Sequence, residues 1–253
     1  VVEELSLTIE KGKILSILGP NGSGKSTLLK ALSRKLKPTS GVVYFTGKDI
    51  QTFNSKNLAC QLAVLMQSPQ APGDLTVRNL VEYGRYPHQH WWKGQSQEDN
   101  NLVDWALEQT GMSNMENRLV NTLSGGEQQR TWIAMALAQK PGVLLLDEPT
   151  TYLDICHQLE IMDLIVRLNK ENGITVVMVL HDINHAARYS DLIAVLRQGK
   201  LFAVGQPVEV ITTTMLRDVF NVEADICLGR DDRPICIIQG LSAANKPTLA
   251  IEK

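Results

Sequence analysis

The sequence predicts an α/β fold: a mostly parallel sheet with flanking helices, interrupted by a helical insertion and joined to an antiparallel β subdomain. Three observations predict it. Val143 to Leu146 and Ile174 to Leu180 are continuous apolar runs, the mark of parallel strands covered on both faces. Ile14 to Leu18 is a third short run, followed at once by a glycine-rich loop and a helical pattern. Between Ala71 and Lys140 the pattern turns helical.

In chain order, Leu5 to Ile9 alternates like a strand, and Lys11-Gly12 breaks it. That strand would be an unprotected sheet edge, so another is expected before Val1. With Val1 in place of Met, the natural protein is expected to extend upstream. A helix is expected from about Lys25 to Lys35, and strands over Val42 to Thr46 and Gln61 to Met66. Ser96 precedes a run with Leu102, Val103, Ala106 and Leu107, and Gly111 stops it. Asp154 to Glu171 is an amphipathic helix stopped near Gly173. Ala194 to Val204 and Val222 to Ile238 read as antiparallel strands around a short helix, and the last dozen residues as a loose tail. The expected organisation is one domain: a nucleotide-binding core over 1–70 and 142–215, a helical subdomain over 71–141 and a C-terminal extension over 216–253.

A chain of 253 residues, 43% hydrophobic, can bury a sizeable core. Its formal net charge of -2 offers no basic field to nucleic acid or an anionic membrane surface. No apolar run approaches the roughly 20 residues of a membrane span, and no signal-peptide pattern opens the chain. Cys60, Cys156, Cys227 and Cys236 lack metal-ligand spacing and read as reduced cytosolic thiols. Cys227 and Cys236 can face each other across a hairpin, but two ordinary strand residues is the simpler reading.

The chemistry starts at Gly19-Pro20-Asn21-Gly22-Ser23-Gly24-Lys25-Ser26-Thr27, which fits G-x-x-x-x-G-K-[ST]. Its glycines let backbone N–H groups close around phosphate oxygens, and the following helix directs its dipole at them. Lys25 reaches the β- and γ-phosphates and Ser26 supplies a hydroxyl to Mg²⁺. Strand, loop and helix in that order argue against a mere glycine-rich turn. Leu144-Leu145-Leu146-Asp147-Glu148 is an apolar strand ending in two acids, where ligand crevices form. Asp147 is expected to hold Mg²⁺ and Glu148 to polarise an attacking water. Leu123-Ser124-Gly125-Gly126-Glu127-Gln128-Gln129-Arg130 is a second glycine-bearing helix start. Ser124 and Glu127 make a capping box, and bare glycine amides at a helix N-terminus are also an anion site. A second phosphate-handling strip serves no purpose in the first pocket unless two chains meet around the nucleotide, which points to an ATPase working as a dimer.

With these motifs the chain resembles, over nearly its whole length, the nucleotide-binding subunit of ATP-binding-cassette (ABC) transporters, built on a P-loop NTPase core. The resemblance implies ATP and Mg²⁺ as ligands. It makes Ser124-Gly125-Gly126 the signature motif, contacting ATP held by the partner chain. Gln67 matches the Q-loop glutamine, which touches Mg²⁺ and senses the membrane partner. Tyr152-Leu153-Asp154 matches the D-loop at the dimer seam, and His181 the switch histidine near the γ-phosphate. Asp154 is also a plausible N-cap. His181 and His185 form an i, i+4 pair, but without a third ligand or the H-E-x-x-H glutamate a zinc site is rejected. Tyr83-Gly84-Arg85-Tyr86-Pro87-His88 and Thr150 to Gln158 resemble importer cassettes of the iron–siderophore, haem and cobalamin group. Phosphate chemistry does not demand those strings, for which local packing and a flexible loop before Trp91-Trp92 is the alternative. The iron–siderophore branch is favoured; the alternatives are cobalamin, haem or other metal importers and a soluble cassette without a transport role. The implied partners are a second copy of the chain, membrane permease subunits and, indirectly, a substrate-binding protein, with no nucleic acid. The implied location is the cytoplasmic face of the membrane, and the segment Gln67 to Trp92 is the expected permease dock. Between Val1 and Lys13 no aromatic residue is available to stack on adenine, so that residue is expected upstream.

Overall fold

The computed structural model describes residues 2–67, 69, 71–89, 96–229 and 231–242. In chain order the elements are β1 (Ile14–Leu18), α1 (Lys25–Leu32), β2 (Tyr44–Phe45), β3 (Lys48–Asp49), α2 (Ser55–Ala59), β4 (Leu62–Leu65) and α3 (Val77–Glu82). Next come α4 (Gln97–Gln109), α5 (Gly125–Ala138), β5 (Val143–Asp147), α6 (Ile155–Asn172), β6 (Thr175–Val179) and α7 (Ile183–Tyr189). The last are β7 (Leu192–Arg197), β8 (Lys200–Gly205), α8 (Pro207–Val210), α9 (Thr213–Phe220), β9 (Val222–Leu228) and β10 (Pro234–Leu241). The described residues fall into two compact units. One draws on Val1–Thr8, Leu15–Lys25 and Leu180–Lys253, the other on Ile9–Ile14 and Ser26–Val179. Among the described residues no helix is long and apolar enough to cross a membrane.

In the larger unit β4, β5 and β6 pair in parallel, Leu62 beside Val143 and Val143 beside Thr175. Leu144, Leu145 and Leu146 are buried, as is every residue of β6. Helices supply the cover these apolar runs need: α5 packs on β4 and α6 on β6, and Ile133 and Leu137 of α5 and Ile161 and Ile165 of α6 are buried. Asp154 caps α6, and Gly173 ends it at φ 65°, a left-handed position that suits glycine. Asn169 then ties the helix end to the strands by donating to Gly12 O at 2.9 Å and Ile174 O at 2.8 Å.

In the same unit α3, α4 and α5 pack on one another. The string Tyr83 to His88 holds the end of α5. Arg85 is buried; its Nε donates to Asp99 Oδ1 at 2.8 Å and its Nη1 to Ala138 O at 2.7 Å. His88 Nε2 lies 2.8 Å from Gln139 O. A Cβ on Gly84 would run into Met135 O, so this crossing admits only glycine. Last-turn carbonyls lack helical partners, and this string supplies them. Burial pushes the Asp99 carboxyl up, but hydrogen bonds from Arg85 and Ser96 outweigh it and hold the group below its ordinary value.

In the smaller unit β1 pairs in parallel with β7, and β7 in antiparallel fashion with β8. Buried Ser16 on β1 is matched by Ser190, their hydroxyl oxygens 2.6 Å apart. The hairpin β9–β10 is fastened to α7: Asn184 Oδ1 accepts from Cys236 N at 2.8 Å, and Arg233 Nη1 donates to Ala187 O at 3.1 Å and to Ser190 O. Burial pushes the Cys236 thiol up to about 11, with Asp182 and Cys227 adding to the rise.

Three sequence expectations are corrected. Leu5 to Ile9 keeps alternating burial but joins no ladder among the described residues; just upstream of it, Glu3 N–H donates to Gly199 O at 2.8 Å. The helix after the glycine loop ends at Leu32, not near Lys35, as the chain bends into a left-handed Arg34 at φ 59°. Val42 to Thr46 shrinks to the two-residue β2, because Gly47 turns the chain at once into β3. Cys227 and Cys236 are ordinary strand residues of a hairpin, in line with the simpler reading, and do not stand opposite each other: Cys227 pairs with Ile235 and Cys236 with Ile226. Trp91-Trp92, and all of the expected tail except Ser242, lie outside the described residues.

Arg85→Ala is expected to destabilise the protein by about 3–5 kcal/mol, because it leaves the Asp99 carboxylate buried without its cation. Replacing both residues by leucine should cost less. Chemical denaturation measures both, and a loss below about 1 kcal/mol for Arg85→Ala would contradict the buried-pair assignment.

Candidate functional site

The glycine loop leaves the buried strand β1. Gly19 sits at φ 154°, where a Cβ would lie 2.6 Å from Ser23 Oγ and run into Leu196 O. Gly22 and Gly24 hold φ 77° and 103°, conformations that L side chains resist. Ser23 N–H donates to Pro20 O at 3.2 Å and closes the turn, while Asn21 and Gly22 are exposed at its tip. Lys25 is buried, and its Nζ donates to Gly19 O at 2.7 Å and Pro20 O at 3.0 Å. Ser23 Oγ is buried and has no hydrogen-bond partner among the described residues. Buried hydroxyls are seldom left so, and a cradle of glycine amides beside one suits an anion. His181 belongs to the same unit. It is exposed and follows Leu180, whose N–H donates to Ile17 O at 3.2 Å. Asp182 caps α7 by accepting from His185 N at 2.8 Å. The His185 ring meets Tyr189 edge-on at 6.0 Å, so it serves the packing of α7.

The acids belong to the larger unit, at the end of β5. Ser26 Oγ donates to buried Asp147 Oδ1 at 3.4 Å, and Thr27 follows on α1. A hydroxyl beside a carboxylate is a hard oxygen donor set and fits Mg²⁺. Glu148 turns out of the strand at φ 53°, a rare conformation for a residue with a Cβ. Its N–H donates to Val179 O at 3.1 Å, so the turn is held from the neighbouring strand. Its Oε2 accepts from Gln67 Nε2 at 2.5 Å and Thr151 Oγ1 at 3.1 Å. The carboxylate is thus aimed by two donors, and Gln67, expected at Mg²⁺, makes its hydrogen bond to Glu148.

Ser124-Gly125-Gly126 and Asp154 open two helices with the same cap. Ser124 Oγ accepts from Glu127 N at 3.3 Å, and Asp154 Oδ1 accepts from His157 N at 2.9 Å. One residue later, Gln128 Nε2 donates back to Leu123 O and Gln158 Nε2 to Leu153 O, both at 3.0 Å. Ser124 and Gly125 are exposed while Gly126 is buried. Glu127 completes the capping box, and its bonds from Ser124 hold its carboxyl below the ordinary range. Tyr152, just before the second cap, is exposed and left-handed at φ 65°. Sequence reasoning assigned no role to Thr151, Gln128, His157 or Gln158. The shared pattern of leucine, cap residue, three residues and glutamine was the available signal.

A family model described as ABC transporter matches residues 2–151, more than half of the chain. The chain belongs to the ABC transporter family. This cassette is 47% identical over 252 residues to the iron(3+)-hydroxamate import ATP-binding protein FhuC of Bacillus subtilis (strain 168), covering 99% of this chain and 94% of that protein. It is 50% identical over 230 residues to the petrobactin import ATP-binding protein FpuC of Bacillus anthracis, covering 91% and 85%. Among solved structures, that of dimeric MJ0796, a bacterial ABC transporter cassette, matches with a TM-score of 0.71 at 33% identity, covering 81% of this chain and 90% of that one. The α/β architecture is that of the cassettes, and the activity is ATP hydrolysis.

Gly19→Ala is expected to weaken ATP binding by at least about tenfold, since its Cβ has no space beside Leu196 O and Ser23. Titration with a fluorescent ATP analogue measures it, and wild-type affinity would contradict the cradle.

Proposed function

We propose that this chain is the ATP-hydrolysing, energy-coupling subunit of an importer for iron–siderophore or a related metal chelate. The observation that carries this reading is near-full-length similarity to the two importer cassettes above. Gly19 to Thr27 take the triphosphate of ATP, with backbone amides and Lys25 meeting its charge. Ser26 and Asp147 hold Mg²⁺, with Gln67 beside them, and the ion supplies charge neutralisation at the β- and γ-phosphates. Glu148, oriented by Gln67 and Thr151, polarises the attacking water as the γ-phosphate leaves. His181 meets the γ-phosphate from the end of its strand. Ser124, Gly125 and Gly126 present amides and a hydroxyl to the nucleotide of a second copy, with Asp154 at the seam.

Segment 71–141 acts as the subdomain that moves with the signature strip, on a core of 1–70 and 142–215. Two such cassettes sit on permease subunits at the cytoplasmic face of the membrane, and a loaded binding protein outside triggers closure. The dock includes Gln67 and the stacked rings of Tyr83 and Tyr86, 5.1 Å apart and exposed.

Glu148→Gln is expected to bind ATP but hydrolyse it about 10²–10⁴ times more slowly, because the amide keeps the shape and loses the base. Size exclusion should show it trapped as an ATP-bound dimer; a monomer turning over at the wild-type rate would refute the assignment. Importer identity is tested by reconstitution with candidate permeases. ATPase stimulation by a binding protein loaded with ferric siderophore is expected, and stimulation by a cobalamin-loaded one alone would overturn the substrate class.

A further inference from the structure

The two capped N-termini, of α5 and α6, meet inside the larger unit, and the contact leaves no room for a side chain at Gly126 of α5. A Cβ on Gly126 would lie 2.7 Å from His157 Cγ and 3.0 Å from its Cδ2 and Nδ1. A Cβ on Gly125 would make ordinary contact, 3.4 Å from Leu153 Cδ2. Gly126 has no left-handed φ, so its requirement for glycine is steric, imposed by the imidazole.

The ring is itself fixed from behind. His157 Nδ1 lies 3.1 Å from Glu160 Oε2, and that oxygen also accepts from Arg130 Nη1 on α5 at 2.6 Å. Asp154 Oδ2 lies 3.9 Å from the other ring nitrogen. The His157 hydrogen bond, with help from Arg130, holds the Glu160 carboxyl below its ordinary value. Two helix N-termini brought together oppose each other electrostatically, and Glu127, Asp154 and Glu160 supply the offsetting negative charge. Packing and charge therefore both set the distance between the helix starts, and the ring stands between them.

We propose that His157 is a positioning residue for ATP hydrolysis: its ring, wedged against Gly126 and aimed by Glu160, holds the strip Ser124 to Gly126 and the Asp154 cap as one rigid edge. The proposal rests on the reading of that strip as the surface presented to the nucleotide of a second copy. Because ATP is first bound by the glycine loop, a loose edge slows turnover without weakening that binding.

The test is a double-mutant cycle of Gly126→Ala and His157→Ala, read as kcat and KM for ATP in the full chain. Each single variant is expected to lower kcat by about tenfold with KM within about twofold. In the double variant the new methyl enters the space left by the ring, so kcat should equal or exceed that of Gly126→Ala alone. Losses that multiply would overturn the proposal, as would a rise in KM that accounts for the whole effect. His157→Phe keeps the wedge and should recover most of kcat; His157→Asn keeps a polar group without the ring and should not. If His157→Ala does not fold, this pair decides alone, and the reverse order overturns the proposal. Failure of the underlying reading looks different, because Ser124→Arg would then retain wild-type kcat while the 126–157 coupling persisted in the thermal midpoint.

Discussion

Strands buried on both faces have nowhere to carry polar chemistry except at their ends. That constraint governs this molecule. Leu144 to Leu146 and the whole of β6 are buried, so the acids follow at Asp147 and Glu148 and the histidine at His181. β1 behaves alike: Leu15, Ile17 and Leu18 are buried, and the glycine loop begins with the next residue. Gln67 stands just past β4. Chemistry at the carboxyl ends of strands is the general rule for sheets of this kind. Here it comes from the burial that stabilises the fold.

A second constraint acts at the helix starts. The first backbone N–H groups of a helix lack intrahelical partners and must be capped or used. Lys25, Ser124 and Asp154 solve this in two ways. The glycine loop bends amides and a lysine around one place. Ser124 and Asp154 each satisfy one amide with a side chain and fold a following glutamine back on the preceding leucine carbonyl. The outcome is three polar turns of defined shape on an apolar scaffold. Glu148 adds local strain, held at φ 53° by a bond to Val179 and by two donors on its carboxylate.

Much of this was legible in the sequence. Continuous apolar runs gave β1, β5 and β6 within a residue, and Ser96, Ser124 and Asp154 cap helices as their spacing implies. Local chemistry determines those features. What was not legible depends on contacts distant in sequence. Nothing in Leu5 to Ile9 reveals that it lacks a ladder partner among the described residues. Gly84 and Arg85 belong to a string for which the sequence offers a family resemblance or local packing, and only the fold shows the contacts with Met135, Ala138 and Asp99. Gly126 read as an anion-binding amide, and only the fold shows that His157 also requires it to be bare.

The central claim is that one chain supplies the glycine loop and another the Ser124 strip to the same nucleotide. Mixing two inactive variants, Lys25→Ala and Ser124→Arg, tests it most directly. A mixed dimer has one composite site with an intact Lys25 from one chain and an intact Ser124 from the other. The account predicts that the mixture recovers ATP hydrolysis absent from either variant alone. A mixture as inactive as its components, with dimer formation verified, would contradict it.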